Sequence, residues 1–87
     1  MKYQYQTHGT CSKQIEIETT VENGREIISN VKFTGGCHGN LQGLNALVKG
    51  LTPEEVISRL EGIRCKDKPT SCPDQLARAL KEMPQER

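Results

Sequence analysis

The chain has 87 residues, of which only 33% are apolar and 3% aromatic, so it predicts one domain with a small core. Twelve basic and eleven acidic residues leave a net charge of +1, which argues against a protein dedicated to nucleic acid or to a membrane surface. No apolar run is long enough to serve as a secretory signal or to cross a bilayer, so we expect a cytoplasmic protein. In that reducing compartment, four cysteines favour metal ligands or redox thiols over permanent disulfides.

The first third of the chain predicts an antiparallel sheet. Residues 14–22 alternate between apolar side chains and polar or charged ones, which is the period of a half-buried strand. Asn23-Gly24 marks a turn, and residues 26–34 form the return strand. Residues 3–7 add an edge strand, which folds back through His8-Gly9-Thr10.

The register of this hairpin decides which cysteines lie near one another. A plain two-residue turn would set Ile15 and Ile17 against polar residues, so we predict a shift of one residue through a bulge or a longer loop. The apolar face would then consist of Ile15, Ile17, Val21, Ile27, Val31 and Phe33. In this register Cys11 lies level with Gly35 or Cys37, so the first two cysteines share one end of the sheet.

Three helices are predicted after Gly36. The first ends at Gly50, which suits a left-handed stop. Thr52-Pro53-Glu54-Glu55 supplies an N-cap, a proline at the first helical position and a capping-box glutamate for the second helix, which ends at Gly62. The inward residues are Leu41, Leu44, Leu47 and Val48 in the first helix, Val56, Ile57 and Leu60 in the second, and Leu76, Ala77, Leu80 and Met83 in the third. The predicted class is α+β, with a small three-stranded antiparallel sheet covered on one face by helices, in a single domain over residues 1–87.

The four cysteines all fall in predicted loops at the ends of these elements, at Cys11, Cys37, Cys65 and Cys72. Cys37 lies among glycines, where the backbone can turn sharply or approach a bound group. Cys72 opens the third helix, either as its N-cap or directly after Ser71, with Asp74 as the boxed acid. A helix N-terminus favours the thiolate, the form that binds metals and attacks disulfides.

Other interpretations of the cysteines remain open at this point. A single cysteine is often a small buried apolar residue, and four cysteines allow three disulfide connectivities. The gaps of 26, 28 and 7 residues contain no C-x-x-C pair, so spacing alone is a weak sign of a metal site. Their predicted convergence is the stronger sign. His8 and His38 could also be ligands, although we interpret both as solvated loop histidines.

The segment Thr70-Ser71-Cys72-Pro73-Asp74 spells the signature of the TSCPD domain, and the chain resembles the small four-cysteine members of that family. The resemblance extends through residues 33–44, residues 47–56 and Arg64-Cys65. Larger relatives carry such a domain at the C-terminus of adenosylcobalamin-dependent ribonucleotide reductases. The resemblance therefore implies an accessory domain whose partner is a ribonucleotide reductase or another redox protein. It does not imply an enzyme that reduces ribonucleotides unaided, because the reductase apparatus cannot fit in 87 residues.

The chain also resembles the U-type iron–sulfur cluster scaffolds, through a Gly-Cys before a helix, residues 48–55 and a cysteine that opens the last helix. This resemblance implies that three scaffold ligands correspond to Cys11, Cys37 and Cys72. The scaffold aspartate that matters for cluster release is Lys13 here, the histidine before the last cysteine is Ser71, and Cys65 is additional. These departures favour a closed four-thiolate site over a transferable cluster.

We therefore predict a metal site formed by Cys11, Cys37, Cys65 and Cys72 at one end of the sheet. Zinc is the first choice because four cysteines close a tetrahedral site and stabilise a small core, and an iron–sulfur cluster is the second. The competing hypothesis is a redox module in which Cys65 and Cys72 cycle between dithiol and disulfide. Nucleic-acid binding is disfavoured because the basic residues are dispersed and aromatic residues are scarce.

Overall fold

The structure is a computed structural model that describes residues 1–10, 12–36 and 38–84, with the backbone alone for His38. Three strands precede three helices: β1 (Lys2–Gln6), β2 (Ser12–Glu22), β3 (Arg25–Gly35), α1 (His38–Val48), α2 (Pro53–Leu60) and α3 (Cys72–Glu82). The strands form one antiparallel sheet in the order β1-β2-β3. The predicted α+β class, the edge strand and the number of helices are therefore confirmed. Within the described part of the chain, every helix is too short or too polar to cross a membrane.

The β2–β3 hairpin combines a tight turn with a bulge. Asn23 and Gly24 have φ values of 54° and 77°, the left-handed conformation that a type I′ turn requires at both central positions. Ser29 is an extra residue on β3, because Thr19 pairs with Ile28 whereas Glu18 pairs with Asn30. Beyond this bulge Ile17 pairs with Val31 and Ile15 with Phe33, which is the register predicted from the sequence. A second shift between Ser12 and Gln14 pairs Ser12 with Gly35, so the predicted register does not extend to this end of the sheet.

The position of the bulge makes two of the predicted inward residues wrong. Because the extra residue lies within β3 and not at the turn, Ile28 is buried where Ile27 was expected. Val21, near the turn, is 43% exposed. The buried positions beside it belong to Thr19 and Glu26, whose side chains are joined by a hydrogen bond of 2.8 Å from the threonine hydroxyl.

The helices cover the sheet through an apolar core to which the sheet and α3 contribute most. Helix α1 packs against β3, while α2 packs mainly on α3 and α3 reaches β2. The core cluster consists of Ile15, Ile17, Ile28, Val31, Val48, Val56, Leu76, Ala79, Leu80 and Met83. All four inward residues predicted for α3 are buried, because this helix lies between α2 and the sheet.

One predicted inward residue of α1 is wrong, since Leu47 is 77% exposed. Asn45 explains the difference, because its side chain takes the position facing β3. Its Oδ1 accepts a hydrogen bond from the Val31 amide at 2.7 Å, and its Nδ2 donates to Asn30 at 3.1 Å. These bonds fix the rotation of α1 about its axis, so that Leu47 faces away from the sheet.

The caps of α2 form as predicted. The Thr52 hydroxyl accepts from the Glu55 amide at 3.2 Å, and the Glu55 carboxylate accepts from the Thr52 amide at 3.1 Å, which completes a capping box. Gly50 and Gly62, at φ of 86° and 87°, lie just beyond the ends of α1 and α2.

Candidate thiol site

The structure describes two of the four predicted ligands. Cys65 is a free, exposed thiol in the loop between α2 and α3, and Cys72 is a half-buried residue at the start of α3. Cys11 and Cys37 lie outside the described residues, so the complete predicted set is not tested. Among the side chains that the structure describes, no three from His, Cys, Asp or Glu are grouped as metal ligands. The two described thiols and the residues next to Cys11 and Cys37 define the geometry of this region.

The start of α3 fixes where Cys72 lies. Ser71 is the N-cap, and its hydroxyl accepts from the Asp74 amide at 3.1 Å and donates to the Ile63 carbonyl at 2.6 Å. This decides between the two caps allowed by the sequence, and makes Cys72 the first helical residue. Pro73 lies in the first turn, where a missing amide hydrogen costs nothing. The Cys72 thiol thus lies at the end of α3 where the helix dipole stabilises negative charge.

Asp74 fixes the loop that precedes α3 and does not act as the boxed acid. Its buried carboxylate accepts from the Thr70 hydroxyl at 2.5 Å, from the Gly62 amide at 2.7 Å and from Arg78 Nε at 2.9 Å. Burial raises the pKa of Asp74, but these three donors outweigh it and hold the pKa below its ordinary value. The ionised carboxylate therefore ties both ends of the loop over residues 62–70 to the first turn of α3.

The loop that carries Cys65 folds back toward this same point. The Cys65 amide donates to the Thr70 carbonyl at 3.2 Å, and the Lys68 amide donates to the Cys65 carbonyl at 3.0 Å. Lys66 turns the chain at φ of 53°, a conformation in which most residues are strained. These bonds hold the backbone of Cys65 next to Thr70, two residues before Cys72.

The end of the sheet also reaches the start of α3. The Cys72 thiol lies 3.2 Å from the hydroxyl of Ser12, which is 4% exposed and is the residue directly after Cys11. Ser12 in turn pairs with Gly35, two residues before Cys37. The described neighbours of Cys11 and Cys37 therefore lie at one end of the sheet, and one of them contacts Cys72.

An open apolar groove of about 570 Å³ lies between α1 and the start of α3. Cys65, Cys72 and Pro73 line one side, and Gly39, Leu44 and Leu47 line the other. The two described cysteines thus line a common space with the first turn of the helix that follows Cys37.

Two residues that position this region were missed by the sequence analysis. Ser12 contacts Cys72, and Gln75, buried in α3, bonds to both the β1–β2 loop and Thr70. Both are ordinary polar residues in sequence, and only tertiary packing gives them these contacts. His8, considered as a ligand, is exposed, and its backbone amide is the group that bonds to Gln75.

Comparison with known proteins identifies one family. The family model described as the TSCPD domain matches residues 1–84, which is nearly the whole chain. No curated protein and no solved structure matches the chain significantly.

Proposed function

Because the chain belongs to the TSCPD domain family, we propose that it is a small metal-binding accessory domain in which Cys11, Cys37, Cys65 and Cys72 hold one metal ion, with zinc as the first choice. The observation that carries the proposal is the 3.2 Å contact between the Cys72 thiol and Ser12. This contact joins the start of α3 to the strand end beside Cys11, although the two segments are 60 residues apart in the chain.

The different contacts made by the side chains of Thr70-Ser71-Cys72-Pro73-Asp74 support this function. Thr70, Ser71 and Asp74 use their side chains to fix the loop and the first turn of α3. Cys72, by contrast, directs its thiol at Ser12 and is one of the residues that line the groove. A segment built to hold one thiol in place suits a ligand better than it suits a core residue.

The donor set fits zinc, because four thiolates complete a closed tetrahedral site. Bound zinc would link the ends of the sheet to the α2–α3 loop and α3, and so would add stability to a small core. An iron–sulfur cluster is the alternative for the same four ligands. As an accessory domain, the chain would serve a ribonucleotide reductase or another redox protein, in keeping with the larger proteins that carry this domain.

Metal counting tests the proposal. Protein purified without oxygen should contain about one zinc ion per chain, and each of the four Cys→Ser variants should lose it, because an incomplete tetrahedron must recruit water. Lys66→Ala, in the same loop as Cys65, is the matched control and should keep the metal. Iron with an equal amount of acid-labile sulfide would favour the cluster, and wild-type protein without bound metal would refute the proposal.

A thiol redox pair is the second candidate, because Cys65 and Cys72 line one groove and Cys65 is exposed. Oxidation of both thiols would form one S–S bond and release two electrons and two protons, which would reduce a disulfide of the partner to two thiols. If this pair alone acts, a Cys11→Ser/Cys37→Ser protein should still form the 65–72 disulfide reversibly at a cytosolic potential. We expect instead that the double variant loses the function together with its metal.

A further inference from the structure

Gln75 is a buried polar residue with no part in capping or in the apolar core. It is 1% exposed in the first turn and a half of α3, one position before Leu76. Its Oε1 accepts a hydrogen bond from the backbone amide of His8 at 3.1 Å, and its Nε2 donates to the Thr70 hydroxyl at 2.9 Å. A single side chain therefore joins the β1–β2 loop to the segment that leads into α3.

The hydrogen bonds continue without a break beyond Thr70. Its hydroxyl accepts from Gln75 and donates to the Asp74 carboxylate at 2.5 Å, which in turn accepts from the Gly62 amide. We call these bonds the His8–Gln75–Thr70–Asp74 chain. These hydrogen bonds connect the three segments next to Cys11, Cys65 and Cys72. The direction of each bond is fixed, because the His8 amide can only donate and the Asp74 carboxylate can only accept.

The β1–β2 loop also packs closely on Thr70. A Cβ built on Gly9 would lie 3.1 Å from Cγ2 of Thr70, and Gly9 has φ of 75°. The loop is therefore held by a hydrogen bond at His8 and by a close approach at Gly9, at two successive residues.

From these contacts we propose that Gln75 is a positioning residue, which holds the β1–β2 loop, the segment that leads into Cys11, against the start of α3 that carries Cys72. Gln75 binds no metal itself. The purpose that we give to this positioning rests on the proposed function. The positioning itself can be measured without any metal. An amide is required because leucine lacks both bonds and an ionised glutamate cannot donate to Thr70.

The first test uses the metal-free 87-residue chain. Gln75→Leu should speed amide hydrogen exchange in a peptide covering residues 7–13 relative to the wild type, while a peptide over the β2–β3 turn should be unchanged. Gly9→Ala should act in the same way, because its new Cβ would lie 3.1 Å from Cγ2 of Thr70, closer than ordinary contact, and the bonds of Thr70 to Gln75 and Asp74 keep its side chain from giving way. Gly24→Ala is the matched control, since Gly24 has a similar φ of 77° but open space around it. Unchanged exchange over residues 7–13 in both test variants would overturn the inference.

The second test asks whether this positioning serves the thiol site. Cobalt(II) replaces zinc in thiolate sites, and its thiolate-to-metal charge-transfer absorption reports how many thiolates are bound. Gln75→Leu and Gly9→Ala should weaken cobalt binding by about 10- to 100-fold, the usual effect of removing support behind metal ligands, and should lower the absorption per bound ion.

Ile28→Val, which trims the core nearer the turn end of the sheet, should lower stability without changing the cobalt spectrum, and so separates positioning from general destabilisation. Faster exchange with an unchanged cobalt spectrum would overturn the link to the site. If the wild type binds neither zinc nor cobalt, the proposed function fails, whereas the exchange result alone still decides whether Gln75 positions the loop.

Discussion

At the scale of single residues, the segment around Cys72 shows how polar side chains can fix a thiol without contacting it. Thr70, Ser71 and Asp74 each make at least two hydrogen bonds across the junction between the loop and α3. A buried carboxylate is costly unless it is hydrogen-bonded, and Asp74 accepts from a hydroxyl, a backbone amide and a guanidinium. This makes Asp74 the residue whose loss should be felt most at this junction.

Asp74→Asn should lower the free energy of unfolding by about 1–3 kcal/mol, because the amide keeps the shape but replaces one acceptor oxygen with a donor facing other donors. Urea denaturation at pH 7 measures the change. Asp67→Asn, at an exposed position of the same loop, is the control and should stay within about 0.5 kcal/mol of the wild type. Equal effects of the two substitutions would mean that the network at the start of α3 contributes little.

At the scale of elements, local chemistry made the caps and the hairpin predictable. The N-cap, proline and glutamate of α2 lie within four residues, and the bulged register follows from the need to keep Ile15 and Ile17 on the buried face. The rotation of α1 was not predictable in the same way. The rotation depends on hydrogen bonds from Asn45 to β3. Because of these bonds Leu47 is exposed, although its position in the sequence matches an apolar stripe.

The candidate site shows the same contrast between features with a local sequence pattern and features that depend on long-range contacts. Sequence placed its thiols at the ends of elements and identified the cap region of α3, which the structure confirms at Cys72. It could not identify Gln75 or Ser12, because their contacts span 67 and 60 residues of chain and leave no local pattern.

The capping box of α2 gives a prediction at this scale. Thr52→Ala should lower the free energy of unfolding by about 1 kcal/mol, since the Glu55 amide loses its acceptor. Ser58→Ala, at an exposed position inside the same helix, should leave stability unchanged or raise it slightly, because alanine is the better helix former. Thermal and urea unfolding of the two variants in parallel would check the contrast, and a loss of the same size in both would contradict it.

At the scale of the whole molecule, the fold is compact but its core is small. The radius of gyration is 12.1 Å, close to the ~12 Å expected for a folded domain of this length. The core, however, contains no buried aromatic side chain among the described residues and relies on aliphatic contacts between α3, α2 and the sheet. Domains of this size commonly need a metal, a disulfide or a partner chain to reach useful stability.

If a metal fulfils that need, its removal should be evident in the melting temperature. Binding at 100 times the dissociation constant is worth about 2.7 kcal/mol, and each kcal/mol shifts the melting temperature of a domain this size by ~4–8 °C. A chelator at neutral pH should therefore lower the melting temperature by more than about 10 °C. Cys37→Ser should melt at the lower temperature, and the chelator should not change its melting temperature further. The melting temperature of Lys66→Ala should fall with chelator as that of the wild type does. Identical melting curves with and without chelator would mean that the cysteines serve something other than the stability of the fold.

The central claim is that four thiolates share one metal ion, and X-ray absorption at the zinc edge of anaerobically purified protein tests it most directly. We predict a single shell of four sulfur atoms at ~2.3 Å from zinc, with no nitrogen or oxygen neighbour. In each single Cys→Ser variant that retains any zinc, one sulfur should be replaced by an oxygen neighbour. A wild-type spectrum with mixed nitrogen or oxygen and sulfur ligands, or a protein that carries no zinc or iron at all, would contradict the four-thiolate site.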